Sequence, residues 1–400
     1  MFGSSAHPLY RGASFAERGV VLVSCNYRLG PLGYLHLAHL GGEAYAASGN
    51  AGTLDQIAAL EWVRDNIARF GGDPDRVTIF GQSSGAGSVS VLLASPKAKG
   101  LFRQAILQSW STSSTASVEF AEDVANRLLG VLGIEPGREA VRKLRDMPAQ
   151  RLSDAAARLP YVSIRPVEDG VVLPGAPLDR ILDGCADGMP VIAGFTRDEF
   201  WRAALATPAF QGGNEEELIR FCERETGPYW AFVSGFYLRD PEAGGTLKER
   251  MKRLMTYHRY LYSMVKLTDA LAGRKGGGPT WVYRFDRRSR ANGGVLGACH
   301  GMELPFVFNT VDLPEARVMT GDGPDLAALA DRVHGAWIAF AGSGNPNGGA
   351  LPEWLPYNTE TRPVMLLDAL SRLAHDPDRA ERTLWQEAER KVGIPHRPMG

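Results

Sequence analysis

Residues 77–87, VTIFGQSSGAG, carry an apolar, β-branched run straight into Gly81-Gln82-Ser83-Ser84-Gly85 and then into a helical pattern. A strand over 76–80, a tight turn and a helix over 85–94 are expected in that order. A serine at the tip of such a turn sits in strained backbone geometry, and flanking side chains would clash there, so glycines on both sides make physical sense. The helix start aims backbone N–H groups and a partial positive charge at the space where an oxyanion would develop. In a chain with 46 glycines the bare GxSxG pattern is weak, and the strand before and helix after supply the weight. Ser83 is the candidate nucleophile, and the backbone N–H of Ser84 is one candidate oxyanion donor. The bland alternative is a glycine-serine turn with no chemistry.

Outward from this stretch, short β-branched runs alternate with helical periods. GVVLVSCNYR (19–28) reads as a buried strand. LDQIAALEWVRDNIARF (54–70) places Ile57, Leu60, Val63 and Ile67 at helical spacing, and Gly71-Gly72 stops it. RQAILQS (103–109), PVIAG (190–194), TWVYRF (280–285) and PVMLL (363–367) read as strands, and LAALADRVHGAWIAFA (326–341) as a helix. Residues 215–272 read as mostly helical and rich in aromatics. Strands alternating with helices predict an α/β fold, a mostly parallel sheet flanked by helices. No repeat or interdomain linker interrupts it, and GRKGGGP (273–279) is short enough to be a loop.

Composition narrows the function classes. The 400 residues are 44% hydrophobic and 22% charged, an ordinary globular balance. Lys plus Arg is 44 and Asp plus Glu is 45, a net charge of −1, so no long-range field draws in nucleic acid or an anionic membrane. A small neutral substrate fits better than a polyanion. Cys25, Cys185, Cys222 and Cys299 are widely spaced with no CxxC pair, which argues against a zinc site or redox dithiol and suits a reducing, cytoplasmic compartment. No apolar run of eighteen residues is present, so no transmembrane helix is expected, and the first residues do not read as a secretory signal.

FGGDPDRVTIFGQSSGAGS (70–88) resembles the signature of the type-B carboxylesterases, the family of para-nitrobenzyl esterases, mammalian carboxylesterases and cholinesterases. NYRLGPLGYL (26–35), GNAGTLDQIAALEWVRDNI (49–67) and HGMELPFVF (300–308) resemble further blocks of that family. The likeness runs over essentially the whole chain and is closest to bacterial para-nitrobenzyl esterases. It implies the α/β-hydrolase fold in a single domain over 1–400, serine-dependent hydrolysis of small esters, and no metal or organic cofactor.

A serine hydroxyl needs an imidazole to take its proton, and the imidazole needs a carboxylate to fix its tautomer. In this fold the chain order is serine, acid, histidine. After the strand PVIAG comes GFTRDEF (194–200), which resembles the family's acid-bearing block, and the match selects Glu199 rather than Asp198. The family usually has Gly after this Glu, and Phe200 here would narrow the turn or put an aromatic wall in the pocket. Without the resemblance, Asp198-Glu199 reads equally as a surface pair. Of the eight histidines, His300 lies in GACHGMELPFVF, and Gly301 beside it leaves room for the ring to approach Ser83. His334 is a rival inside a helical pattern, where packing explains it.

The family's glycine-rich HGGG loop, source of the remaining oxyanion donors, has no counterpart in these residues. In the family it lies just before the segment matching Met1-Phe2-Gly3, so those donors are expected upstream of Met1 and the chain is expected to lack its N-terminal portion. The strand leading into that loop would lie between residues 19–25 and 76–80, and its absence would leave two sheet edges unpaired. Ser109 in LQSW (107–110) resembles a serine that the family places near the site, with Trp110 where Gly usually follows. It serves either as a support for the site or as an ordinary strand-end serine. Phe200, Trp201, Phe306 and Phe308 either line an acyl pocket or fill the core. Two other functions compete: a non-catalytic binding module or inactive fragment on the same fold, and cleavage of amides or carbamates. The retained Ser83, Glu199 and His300 argue against the binding module, which has no need of all three.

Overall fold

Six strands lie side by side in chain order in the computed structural model, which describes residues 3–160, 163–239 and 245–392. They are β1 (Thr78–Gln82), β2 (Gln104–Gln108), β3 (Val191–Thr196), β4 (Thr280–Phe285), β5 (Pro363–Leu367) and β6 (Arg372–His375). β1 to β5 are parallel and β6 returns antiparallel to β5. Parallel neighbours require crossovers, and helices supply them. Helix α1 (Ala51–Asn66) precedes β1, and the principal crossover helices are α2 (Ser84–Ala94), α3 (Val118–Leu132) and α4 (Leu326–Ser343).

Why the strands are apolar runs rather than alternating ones follows from what covers them. All five residues of β2 are buried. Ala105 and Leu107 join Val89, Leu92, Val191 and Ala193 in one core, while Ile106 joins Ile192, Trp281, Val333 and Trp337 in another on the opposite face. Both faces of a central parallel strand are covered, so both sets of side chains must be apolar. α2 packs on β1 and β2, anchoring the turn that precedes it.

The expected elements appear with shifted ends. The strand expected over 76–80 becomes Thr78–Gln82, two residues later, so Gln82 enters the ladder opposite Gln108. The helix from residue 54 begins earlier, at Ala51, and tightens into a 3-10 turn over Ile67–Phe70 before Gly71 at φ 83°. The expected helical stretch contains Glu215–Thr226, Trp230–Arg239, Leu247–Thr256 and Tyr262–Ala272, the last two joined by a π turn over Tyr257–Leu261. Residues 240–244 of that stretch lie outside the described residues, as do Met1, Phe2 and His396.

One expectation fails. Residues 19–28 form no strand. The segment has no ladder: among the described residues β1 pairs only with β2. Its side chains alternate, with Val20 and Leu22 against the core and Val21 and Val23 exposed at 42% and 43%. The run of valines read as burial on two faces, whereas only one face is covered.

Candidate active site

Ser83 sits between β1 and α2 with φ 56° and ψ −116°. A non-glycine residue there costs roughly 1–3 kcal/mol and persists only where neighbours over-determine it. They do so here: Ser83 N–H donates to the Gln108 carbonyl at 2.8 Å, and the Ser83 carbonyl accepts from Gly87 N–H at 2.9 Å. The glycines divide unequally. A Cβ on Gly81 would lie 2.4 Å from the Gly85 carbonyl carbon, whereas a Cβ on Gly85 would meet nothing within 4 Å. The clash expected on both sides of the serine therefore exists at Gly81, and Gly85 is the backbone it would strike. Ser84 opens α2, so its N–H has no intrahelical acceptor.

The loops after β3 and β4 meet beyond the carboxyl ends of the strands, where open α/β sheets place their ligands. Glu199 follows β3 and is 1% exposed. One carboxylate oxygen, Oε1, accepts from Thr196 N–H at 2.8 Å; the other, Oε2, is hydrogen-bonded to His300 Nδ1. Asp198 is buried too, and it clamps the two loops. Its N–H donates to the Ala298 carbonyl at 3.0 Å, and its Oδ2 accepts from Ala298 N–H at 2.7 Å. The surface-pair reading of Asp198-Glu199 is thereby excluded.

His300 presents its other nitrogen to the end of β1. Gln82 Nε2, on the residue before Ser83, lies 3.2 Å from His300 Nε2. Among the described residues, Ser83 Oγ itself makes no hydrogen bond to the ring. Gly301 adopts φ 79°, and a Cβ there would find only ordinary contacts with Leu304 and Gln82. Its glycine answers a left-handed backbone rather than a need for space around the ring. The ring of Tyr260, carried by the π turn, lies 4.9 Å from the His300 ring.

Electrostatics at the ring pull in opposite directions. Burial disfavours the imidazolium, but the charge and hydrogen bond of Glu199, with the charge of Glu303, outweigh burial and Arg202, so the His300 pKa is raised. Glu303, three residues on, is fully buried and accepts from Gln108 Nε2 at 3.2 Å. Burial first, then the charge of Glu199, pushes its carboxyl up to about 7. Two carboxylates in one dry site do not ionise together easily.

The remaining candidates fall into the core. Ser109 follows β2 at φ 57°, 1% exposed, with its N–H donating to the Gly194 carbonyl at 2.7 Å. Trp110 is buried and donates to Ser90 Oγ at 2.8 Å. Phe200 packs on Phe210 rather than walling a pocket, and its N–H donates to Thr256 Oγ1 at 3.0 Å. Trp201 is flanked by Lys252 and Arg288, Phe306 by Phe285, and Phe308 by Phe15 and Phe80. His334 lies buried in α4, with Nδ1 2.8 Å from the Val307 carbonyl. Among the described residues no three His, Cys, Asp or Glu side chains gather to hold a metal ion. Sequence reasoning missed Gln82, Asp198 as a clamp, Tyr260 and Glu303. Only Glu303 left a signal, the i, i+3 spacing from His300 in HGME.

Residues 1–385 match the model of the carboxylesterase family. The para-nitrobenzyl esterase of Bacillus subtilis is 37% identical over 95% of this chain and 76% of its own length. The phenmedipham hydrolase of Pseudarthrobacter oxydans is 30% identical over 94% of this chain and 74% of its own. Among solved structures, a Geobacillus stearothermophilus carboxylesterase superposes with a TM-score of 0.88 at 41% identity, covering 96% of this chain and 80% of that one.

Proposed function

The chain belongs to the carboxylesterase family and is a carboxylester hydrolase; from that premise, we propose that it cleaves small uncharged or aromatic esters through an acyl-enzyme formed on Ser83. The contact that carries the assignment of roles is the Glu199–His300 hydrogen bond beside the strained Ser83 turn. Glu199 accepts from Nδ1–H, which leaves the Nε2 lone pair to act as base. Ser83 Oγ attacks the ester carbonyl and its proton passes to His300 Nε2. The tetrahedral oxyanion is met by the Ser84 N–H and the positive end of α2. His300 then protonates the departing alkoxide, the carbon–oxygen bond breaks, and the alcohol leaves. Water, deprotonated by the same nitrogen, attacks the acyl-Ser83 and releases the acid.

An uncharged substrate is supported by the net charge of −1 and by the carboxylates, Glu199 and Glu303, grouped at the base. No helix among the described residues is long and apolar enough to cross a membrane. The cytoplasm is the proposed location, because widely spaced unpaired cysteines suit a reducing compartment.

The test is hydrolysis of short-chain para-nitrophenyl esters by the wild type, Ser83→Ala and Glu199→Gln. Ser83→Ala is expected to abolish release of nitrophenol. Glu199→Gln is expected to lower kcat by about 10⁴, the scale seen when a triad carboxylate becomes an amide. Undiminished turnover in Ser83→Ala would remove Ser83 as the nucleophile.

A further inference from the structure

Gln82 and Gln108 close β1 and β2 in register, so their side chains leave the sheet on the same face. Each grips one end of the turn from His300 to Glu303. Gln108 donates through Nε2 to Glu303 at 3.2 Å, and its own oxygen accepts from Trp337 Nε1–H at 3.4 Å. An indole can only donate, so that amide has one orientation. Gln82 grips the other end, at His300 Nε2, 3.2 Å away.

The chemistry of that second contact is determined by the far side of the ring. His300 Nδ1 faces a carboxylate and carries the proton, so Nε2 is a bare lone pair. Only a donor suits it, and the Gln82 NH₂ is one. The same lone pair is the one that must receive the Ser83 proton. We propose that Gln82 is a positioning residue that donates an amide hydrogen to the proton-accepting nitrogen of His300 in the resting enzyme and yields that nitrogen to Ser83 during acylation. The inference rests on the reading of His300 as the base.

Such a hold does two things. It keeps the ring turned toward the nucleophile turn while the Ser83 hydroxyl has no bond to it. It also favours the neutral ring while the NH₂ group faces it, because an imidazolium has a hydrogen at that atom and would require the amide to turn its oxygen to the ring. The other groups facing the ring are charged or aromatic. Glu199 at Nδ1 and Glu303 from the same turn favour the imidazolium; Arg202, from the short helix Trp201–Ala204, opposes it; Tyr260 covers a face. Gln82 is the neutral group whose hydrogen bond opposes the two carboxylates.

The experiment is an NMR titration of the full chain carrying ¹⁵N-labelled histidine, in the wild type, Gln82→Met and Gln82→Asn. Met keeps the length of Gln without a donor, and Asn keeps the amide but falls one methylene short. Both are expected to raise the His300 pKa by about half to one pH unit, the worth of one neutral hydrogen bond. Should Met disturb folding, judged by circular dichroism and the other histidine signals, Asn carries the test. An unmoved or lowered His300 pKa in the folded variants overturns the proposal. Because the titration needs no turnover, failure of the esterase reading would show separately, as absence of ester cleavage in the wild type. With turnover, the acid limb of kcat/KM moves up in step with the titration, whereas a residue that merely supported the fold would lower the rate at every pH alike.

Discussion

Replacing Glu303 with Gln should make the protein relatively more stable as pH rises, by an amount the buried site itself sets. Glu303 is fully buried, close to Glu199, and its pKa is lifted from 4.5 to about 7. A carboxyl raised in the folded state contributes stability that is fully present below its unfolded value and is lost as pH climbs through the folded one. The window is therefore about pH 4.5 to 7, with a cost rising by 1.36 kcal/mol per pH unit and levelling near 3 kcal/mol in all. Roughly 2 kcal/mol of this falls between pH 5.5 and 7. The amide at 303 cannot ionise, so the stability of Glu303→Gln minus that of wild type should climb by about that amount across the interval and then flatten. Urea unfolding of both proteins at half-unit steps from pH 5.5 to 8 measures it, and groups that do not feel the charge at 303 cancel in the difference. The charge of Glu303 also raises His300, so the acid limb of kcat/KM should move to lower pH in the variant. A stability difference independent of pH across this window would refute the claim that Glu303 is held neutral by burial and Glu199.

Two further outcomes follow from the nucleophile turn. Gly81→Ala forces a Cβ to within 2.4 Å of the Gly85 backbone; overpacking of this kind costs about 1–3 kcal/mol, and the displaced turn should abolish ester cleavage, read by urea midpoint and a chromogenic assay. Ser83→Gly and Ser83→Ala should both be inactive, but Gly relieves the strain at φ 56° at a smaller entropic cost, so it should unfold about 1 kcal/mol later than Ala. Equal midpoints for the two would show that the turn stores no strain.

What could be read along the chain, and what could not, divides by the reach of the physics involved. The turn around Ser83 was legible because strand, glycine and helix signals are local, and β5 was legible because a strand covered on both faces is apolar throughout. The same rule misled at residues 19–28, where Val21 and Val23 turned out to be exposed, since a run of valines does not say how many faces are covered. Helix α3 could have been found: Ala121, Val124, Ala125, Leu128 and Leu129 repeat at helical spacing behind a Ser117 cap and before Gly133. Glu199 and His300 came from a resemblance, because no local signal joins residues 101 apart.

The partners of the base were beyond reach for a different reason. Gln82 sits 218 residues from His300, and its importance depends on a boundary. The strand had to run two residues longer than its apolar stretch before Gln82 fell opposite Gln108 and both amides pointed at the histidine turn. Hydrophobic pattern locates a strand but is silent on a polar last residue, and polar last residues at the carboxyl ends of strands are where this fold gathers its chemistry. Around an imidazole poised between two carboxylates and one amide, the amide is the group whose removal changes charge nowhere and hydrogen bonding at one atom. A shift in His300 on its removal would therefore report that single bond, which makes Gln82 the most direct probe of how the resting base is held.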